Sequence, residues 1–311
     1  MLTASATRAN LPRTQEAIGL REFILVILLS TSLLAQTQLS PEVKAFVTVD
    51  APVVVLAHVK VIDGTGAPPK DDQTIVIANG RIESLGDAAG AVIPGNAKVL
   101  DLGGYTVIPG LVGMHDHLFY PAGGGWFTEM GFSFPRLYLA GGVTSIRTTG
   151  STEPYADIEL KKLIDSGKAP GPKIGVTGPY LEGENSFAIQ MHALTGPEDA
   201  RKTVAFWADE SVTSFKAYMF ITRAELGAAI EEAHKRGLKV TGHLCSVTFR
   251  EAAALGIDDL EHGLLVDTDF VPDKKPDACP PTGPALKQLA DKIDINGPEV
   301  QQTIRELVAH H

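Results

Sequence analysis

The sequence predicts an α/β protein in which a small all-β unit precedes a series of strand–loop–helix units. From Val53 to about Leu102, short β-branched runs alternate with turns. Beyond Tyr105, apolar strands alternate with helical patterns. The 31 glycines and 20 prolines fit a fold with many short connections, and the 44% of hydrophobic residues is typical of a globular protein.

The all-β unit, assigned to residues 50–104, consists of short strands separated by turn residues. Its first strand is VVVLAHVKVID, which runs into the turn Gly64-Thr65-Gly66. The segment TIVIANGRIESLG alternates apolar and polar residues around Asn79-Gly80, a pattern that strongly favours a hairpin. Residue types used in catalysis do not cluster in this unit, so the chemistry is expected further along the chain.

Residues 105–311 are predicted to contain six strand–helix units. Thr222 with Glu225, and Thr248 with Glu251, form capping boxes that mark the starts of two helices. A Pro-rich loop over residues 271–284 and a final helix complete the pattern. The predicted strands cover residues 106–118, 142–148, 172–180, 213–219, 238–244 and 257–263.

A closed eight-stranded barrel typically takes roughly 250 residues, and the stretch from Thr106 to His311 is shorter than that. The sequence therefore predicts an incomplete (β/α)8 TIM-like barrel of about six units. A six-stranded open α/β sheet is the structural alternative, and the candidate ligand pattern described below favours the barrel. In an incomplete barrel the first and sixth strands are unpaired edges, so an aggregating product or a homo-oligomer is expected.

The formal net charge of -10, with no run of Lys or Arg, argues against nucleic acid as a partner. Cys245 and Cys279 are the two cysteines of the chain, and neither lies in a CxxC pair. The sequence leaves open whether these two residues form a disulfide.

Residues 1–40 are predicted to be a signal peptide and linker. The apolar run from Phe23 to Leu34 is much too short for a bilayer-spanning helix, and Arg13 and Arg21 precede it. A buried core helix is the alternative interpretation of this run. We therefore expect an exported protein, periplasmic or secreted, with no stable membrane span after signal removal.

The strongest chemical signal is His115-Asp116-His117, at the end of an apolar strand that follows Pro109-Gly110. Alternate side chains of a strand share a face, so both imidazoles are expected on one side and the carboxylate on the other. Two such histidines at the carboxyl end of a barrel strand can bind one metal ion. A pair of surface histidines in a loop is the alternative, which the apolar flanks disfavour.

Lys216, His243 and His262 follow at the ends of the fourth, fifth and sixth predicted strands. A buried lysine loses its proton readily, and its neutral amine can react with carbon dioxide to give an anionic carbamate that bridges two cations. A lysine whose charged end reaches solvent, or histidines that merely pack or cap, are the alternatives. The occurrence of all three in register with the first pair favours metal binding.

This order of residues resembles the binuclear amidohydrolase superfamily. Residues 108–118 (IPGLVGMHDHL) resemble its first-strand signature, and the all-β unit resembles its small β-sandwich part. Residues 141–147 (GGVTSIR) and 261–263 (EHG) are most similar to imidazolonepropionase-like and prolidase-like members. Residues 214–216 (SFK) are also similar to hydantoinases.

The resemblance implies two divalent metal ions, with zinc as the expected metal. By position, His115 and His117 would bind one ion and His243 and His262 the second, with carboxylated Lys216 as the bridge. The implied reaction is hydrolysis of a C–N bond by a metal-activated water. The expected substrates are small or peptide-like molecules that contain an amide, a dipeptide or a cyclic amide.

One family residue has no counterpart in this chain. The superfamily's aspartate at the end of strand eight helps bind the first metal and shuttles a proton, so the catalytic residue stays unassigned here. Asp267 and Asp269 follow strand six and are poor substitutes, and Gly113 stands where many relatives have an acidic residue. A non-catalytic, truncated fragment that still binds metal is therefore the alternative to an active hydrolase.

Other activities and contacts are less strongly indicated. A hydantoinase-like activity, a deaminase or a phosphotriester hydrolase on the same barrel is disfavoured relative to amide hydrolysis, since deaminases usually manage with one metal and no bridging lysine. Four residues at or near strand ends are candidates for substrate contact: Arg147, Tyr180, His192 and Tyr218.

Overall fold

The computed structural model describes residues 38–186 and 188–310. The predicted signal peptide, with most of its linker, lies outside these described residues. Within them, no helix has the length and apolar character needed to cross a membrane.

The N-terminal unit is one mixed sheet of five strands, ordered β3-β2-β1-β4 with β5 paired to β1. Its hairpin turns at Asn79 and Gly80, both with positive φ, which confirms the turn expected from this dipeptide. All the strands from Val53 to Val107 belong to this one sheet, in the region where a small β-sandwich was predicted. The edge strand β3 is solvent-exposed along its whole length. The strands are β1 Val53–Val61, β2 Lys70–Ala78, β3 Arg81–Asp87, β4 Lys98–Asp101 and β5 Thr106–Val107.

The remaining strands, apart from one hairpin, are parallel and follow the chain in order. One sheet has the order β10-β9-β6 and the other β11-β12-β13-β14, and only Val176 separates β10 from β11. A parallel bridge between Ser151 and Pro179 continues the pairing from β9 to β11. Six units thus occur as predicted, the third in two pieces. Their strands are β6 Leu111–Asp116, β9 Val143–Thr148, β10 Lys173–Gly175, β11 Thr177–Leu181, β12 Ser214–Ala217, β13 Lys239–Gly242 and β14 Asp259–Leu260.

The predicted strand over residues 106–118 is divided between two sheets. β5 pairs with β1 of the N-terminal sheet, whereas β6 starts at Leu111 and pairs with β9. Pro109 and Gly110 lie between them, and proline lacks the N–H that a continuous ladder would require. A Cβ at Gly110 would collide with the Thr144 side chain, so this crossing of the two sheets requires glycine.

Helices connect the parallel strands, and both predicted capping boxes are present at α5 and α6. Sequence analysis missed α7, which begins inside the predicted Pro-rich loop, because its only proline lies in the first turn, where proline is tolerated. A hairpin of β7 Phe119–Gly123 and β8 Trp126–Glu129 follows β6. The helices are α1 Pro41–Lys44, α2 Phe134–Ala140, α3 Pro154–Asp165, α4 Pro197–Asp209, α5 Arg223–Lys235, α6 Phe249–Leu255, α7 Thr282–Lys292 and α8 Pro298–Ala309.

The main core lies between the four-stranded sheet and its helices. Phe215 of β12 and Val240 of β13 are fully buried there, together with Leu226 of α5. By contrast, Val112 and Met114 of the edge strand β6 are 60% and 62% exposed. The apolar core therefore surrounds the strands that carry the later site residues and leaves the first strand largely uncovered.

Cys245 and Cys279 form a disulfide, which answers the question that the sequence left open. Their Cα atoms are 5.0 Å apart, and 34 positions separate them along the chain. The bond joins the loop that follows β13 to the segment that precedes α7.

Candidate functional site

The carboxyl ends of four parallel strands bring the predicted ligand residues together. The ring centroids of His115 and His117 are 5.4 Å apart, and those of His115 and His262 are 4.7 Å apart. His243 lies 4.5 Å from His262 by the same measure. Lys216 is linked to this group through the Glu261 carboxylate, which contacts both Lys216 and His115.

Strand register explains why these side chains meet. Tyr180, Lys216, Thr241 and Asp259 lie side by side across β11, β12, β13 and β14. Residues two positions further along a strand share the same face, which aims His243 towards the carboxyl end of that face.

His262 leaves the strand pattern, because its φ of 65° lies in the left-handed region. Such a conformation is uncommon for a non-glycine residue and turns the chain immediately after β14.

Glu261 is the central residue that sequence analysis did not assign. Its carboxylate lies 3.2 Å from Lys216 Nζ and 3.3 Å from an Arg147 guanidinium nitrogen, and it contacts His115 Nδ1. The Glu261 side chain is 5% exposed and that of Lys216 is 1% exposed, so this ion pair is excluded from water. The signal was present in the sequence, since Glu261 lies two positions after Asp259, which is in register with Thr241 and Lys216 across the sheet.

Burial and mutual charge set the protonation of the pair. Burial lowers the pKa of Lys216 to about 8, although the adjacent Glu261 carboxylate opposes this change. Burial would raise the pKa of Glu261, but the charges of Lys216 and His115 outweigh it and hold the pKa at about 2. At neutral pH, the metal-free site therefore holds an ammonium and a carboxylate in direct contact.

The imidazoles of His117, His243 and His262 favour their neutral, ligating form. Burial, and then nearby positive charge, lowers the pKa of His117 to about 4 and that of His243 to about 4. The pKa of His262 is lowered for the same reasons. Nδ1 of His117 is buried without a hydrogen-bond partner, as expected for a nitrogen that binds a metal.

The donor set fits divalent metal ions in its chemistry, because neutral imidazoles suit zinc and similar cations. Its arrangement is not that of an assembled centre. Glu261 engages both His115 and Lys216, and over residues 38–186 and 188–310 no three His, Cys, Asp or Glu side chains converge in a metal-binding geometry.

The predicted substrate residues have different surroundings. Arg147 donates to the Thr241 hydroxyl at 2.8 Å and to the Met114 carbonyl at 3.1 Å. These bonds hold its guanidinium beside the Glu261 carboxylate, to which it also donates. His192 pairs instead with Asp199 at 2.9 Å, at the start of α4.

Two tyrosine rings pack next to His243. The ring centroid of Tyr218 lies 4.7 Å from that of His243, and Tyr180 lies 5.0 Å from Tyr218. Burial raises the pKa of Tyr218 to about 12, so its phenol stays protonated at neutral pH.

The acidic residues after strand six have structural contacts. Asp267 is fully buried and accepts hydrogen bonds from the backbone N–H groups of Phe249 and Asp269. Asp269 accepts from the backbone N–H of Arg250. At Gly113, a Cβ would collide with the Asp116 carboxylate, so a larger residue there requires the Asp116 side chain to move.

The fold and this cluster define an α/β protein with an imidazole-rich centre at the carboxyl ends of parallel strands. Over 142 residues the chain is 30% identical to a dihydroorotase from Leifsonia xyli, covering 44% of this chain and 30% of the relative. Over 134 residues it is 30% identical to an imidazolonepropionase from Arthrobacter sp., covering 43% and 32%. The chain thus spans about a third of the length of these curated relatives.

Among solved structures, the chain is similar to a candidate prolidase from Bifidobacterium longum. The identity is 29% and the TM-score 0.58, over 68% of this chain and 55% of the other. No protein-family model matches the sequence. These relatives and the fold shared with the candidate prolidase support the assignment of the chain to the amidohydrolase superfamily.

Proposed function

We propose that this protein hydrolyses C–N bonds in small or peptide-like substrates, such as amides, dipeptides or cyclic amides. The observation that carries the proposal is the convergence of four histidines with buried Lys216 at the carboxyl ends of parallel strands, where barrel enzymes perform catalysis. Relatives named dihydroorotase and imidazolonepropionase, and a structural neighbour named as a Xaa-Pro dipeptidase, support this class of reaction.

The proposed cofactor is a pair of divalent ions, with zinc as the expected metal. His115 and His117 would hold one ion and His243 and His262 the other. When bound, such ions supply an activated water and polarise the substrate carbonyl. Lys216 is proposed to be carboxylated: its neutral amine attacks carbon dioxide, forms an N–C bond and releases a proton. Its pKa of about 8 makes that neutral form accessible.

The chain's own residues would position the ligands and exclude water from the site. Arg147 and Thr241 fix the position of the Glu261 carboxylate, which in turn orients the His115 ring through Nδ1. The rings of Tyr180 and Tyr218 exclude water beside His243. No residue of this chain is assigned to protonate the leaving nitrogen.

Metal content and turnover test the proposal together. Protein purified without chelator and with bicarbonate present is analysed for metal per chain, then assayed on panels of amides, dipeptides and cyclic amides. About two zinc-like ions and turnover that His243→Ala abolishes are expected. The matched control is His192→Ala, which removes a histidine outside the cluster and should retain activity. Turnover that persists in His243→Ala would contradict the assignment.

A second candidate function is metal binding without catalysis. It is favoured because the buried, neutral imidazoles suit metal ions, whereas no residue of this chain is assigned to protonate the leaving nitrogen. Tightly bound metal with no turnover on any panel would support this candidate over the hydrolase.

We further propose that the parallel strands form an incomplete (β/α)8 barrel and that the protein is exported. The sequential order of the six units supports the barrel. The Cys245–Cys279 disulfide supports export, because such bonds persist in oxidising compartments. Cell fractionation tests the location: recovery of the full-length chain in the cytoplasm with both thiols free would contradict it.

A further inference from the structure

An apolar cavity lies directly beside the histidine cluster. Its volume is 220 Å³, and His243 belongs both to its lining and to the cluster. Apolar side chains and two threonines complete the lining, and among these described residues there is no Asp, Glu, Lys or Arg. The lining consists of Met219, His243, Leu244, Cys245, Val266, Thr268, Thr282, Ala285, Leu286 and Leu289.

Two structural elements hold the far wall of this cavity in place. Ala285 and Leu289 of α7 are 8% and 3% exposed, so they face inward. The Cys245–Cys279 bond ties the segment just before α7 to the loop that carries His243. Thr268 directs its hydroxyl to the Cys245 carbonyl at 2.9 Å, so this polar group is already satisfied.

We propose that this cavity binds a branched aliphatic side chain of the substrate, adjacent to the bond that is cleaved. The inference rests on the proposed hydrolase function and specifies its substrate class. An apolar cavity of roughly 150 Å³ takes up benzene, so this one has room for a leucine-sized group.

Charge explains what the cavity rejects. A carboxylate or ammonium placed there would lose its hydration without gaining a partner, since the lining offers no opposite charge. The cavity therefore selects against acidic and basic side chains of the same length.

Binding can be measured without turnover. The ¹³C-methyl NMR signal of Met219, a residue of the lining, reports occupation, and that of exposed Met114 serves as the internal reference. Isovaleramide should shift the Met219 signal saturably. Acetamide and succinamate should not do so at equal concentration. A Met219 signal that responds to none of them, or equally to all three, would overturn the proposal.

Two variants of α7 distinguish the effect of filling the cavity from a general effect of changing the helix. Ala285→Leu fills the cavity and should weaken isovaleramide binding at least about 10-fold, the loss expected when a leucine-sized group can no longer be buried. Lys287→Leu adds the same side chain at an exposed position and should bind like the unmodified protein. The comparison among ligands on the unmodified protein stays decisive if Ala285→Leu fails to fold.

Turnover then distinguishes this inference from the proposed function. Leucine-containing substrates should be cleaved with a kcat/KM roughly 10- to 100-fold above that of the glycine analogues, the ratio expected for burying such a side chain. Binding of isovaleramide without turnover would support the cavity and refute the hydrolase. Turnover without preference for the aliphatic group would support the hydrolase and refute the cavity.

Discussion

Replacing Glu261 by Gln tests whether Lys216 depends on a single buried counter-ion. The two side chains are 5% and 1% exposed, and their charged atoms are 3.2 Å apart. Removing one partner of such a pair leaves an uncompensated buried charge, so we expect Glu261→Gln to cost roughly 3–5 kcal/mol of unfolding free energy. Urea denaturation of protein freed of metal and carbon dioxide measures this change.

The double variant Glu261→Gln/Lys216→Met provides the decisive comparison. Replacement of a whole buried ion pair by apolar groups is often neutral or stabilising, so most of the lost stability should return. Glu184→Gln, at an exposed position, is the matched control and should change stability by less than about 0.5 kcal/mol. A cost below about 1 kcal/mol for Glu261→Gln, or no recovery in the double variant, would refute the ion-pair argument.

Four further predictions concern the disulfide, the metal, pH and association. Cys279→Ser should lower the unfolding free energy by about 4 kcal/mol in urea titrations, because the paired cysteines are 34 positions apart and the loss of the bond frees the unfolded chain. Lys216→Ala should reduce bound metal per chain in elemental analysis; an unchanged content would exclude it as a ligand. Burial and the nearby charges of Asp157 and Glu153 raise the pKa of Glu129 to about 8. The folded state therefore binds this proton more tightly than the unfolded state, and stability falls as pH rises from about 4.5 to 8. Glu129→Gln should thus raise Tm more at pH 8 than at pH 5, and an equal change at both would contradict this. Val112→Lys should reduce self-association in sedimentation velocity, because it places a charge on an exposed apolar strand.

Local signals in the sequence predicted local structure well. The Asn79-Gly80 hairpin and the two capping boxes depend on residues within four positions of each other, and the structure contains all of them. The sequential parallel strands could also be predicted, since each alternates with a helical pattern. The split between β5 and β6 was missed, because it depends on pairing with β1, about 45 residues earlier in the chain.

In the candidate site, too, features with a local sequence signal were predicted and features that depend on distant residues were missed. Strand ends placed the four histidines and Lys216 in one region, because carboxyl ends of parallel strands meet at one edge of the sheet. Glu261 was not assigned, since its role depends on its distances to Lys216 and Arg147 rather than on its neighbours in sequence. His192 was a candidate for substrate contact, and its described hydrogen bond is to Asp199, which also accepts from the backbone N–H of Thr195 just before α4.

Charge balance links the lysine modification to metal binding. In the metal-free site, cationic Lys216 is neutralised by Glu261 and both are buried. A carbamate on Lys216 would turn that cation into an anion next to the Glu261 carboxylate, and two buried like charges in contact are strongly unfavourable. Divalent cations at the neighbouring imidazoles would compensate both. Carboxylation and metal loading should therefore occur together, and bicarbonate without metal should leave Lys216 unmodified in intact-mass measurements.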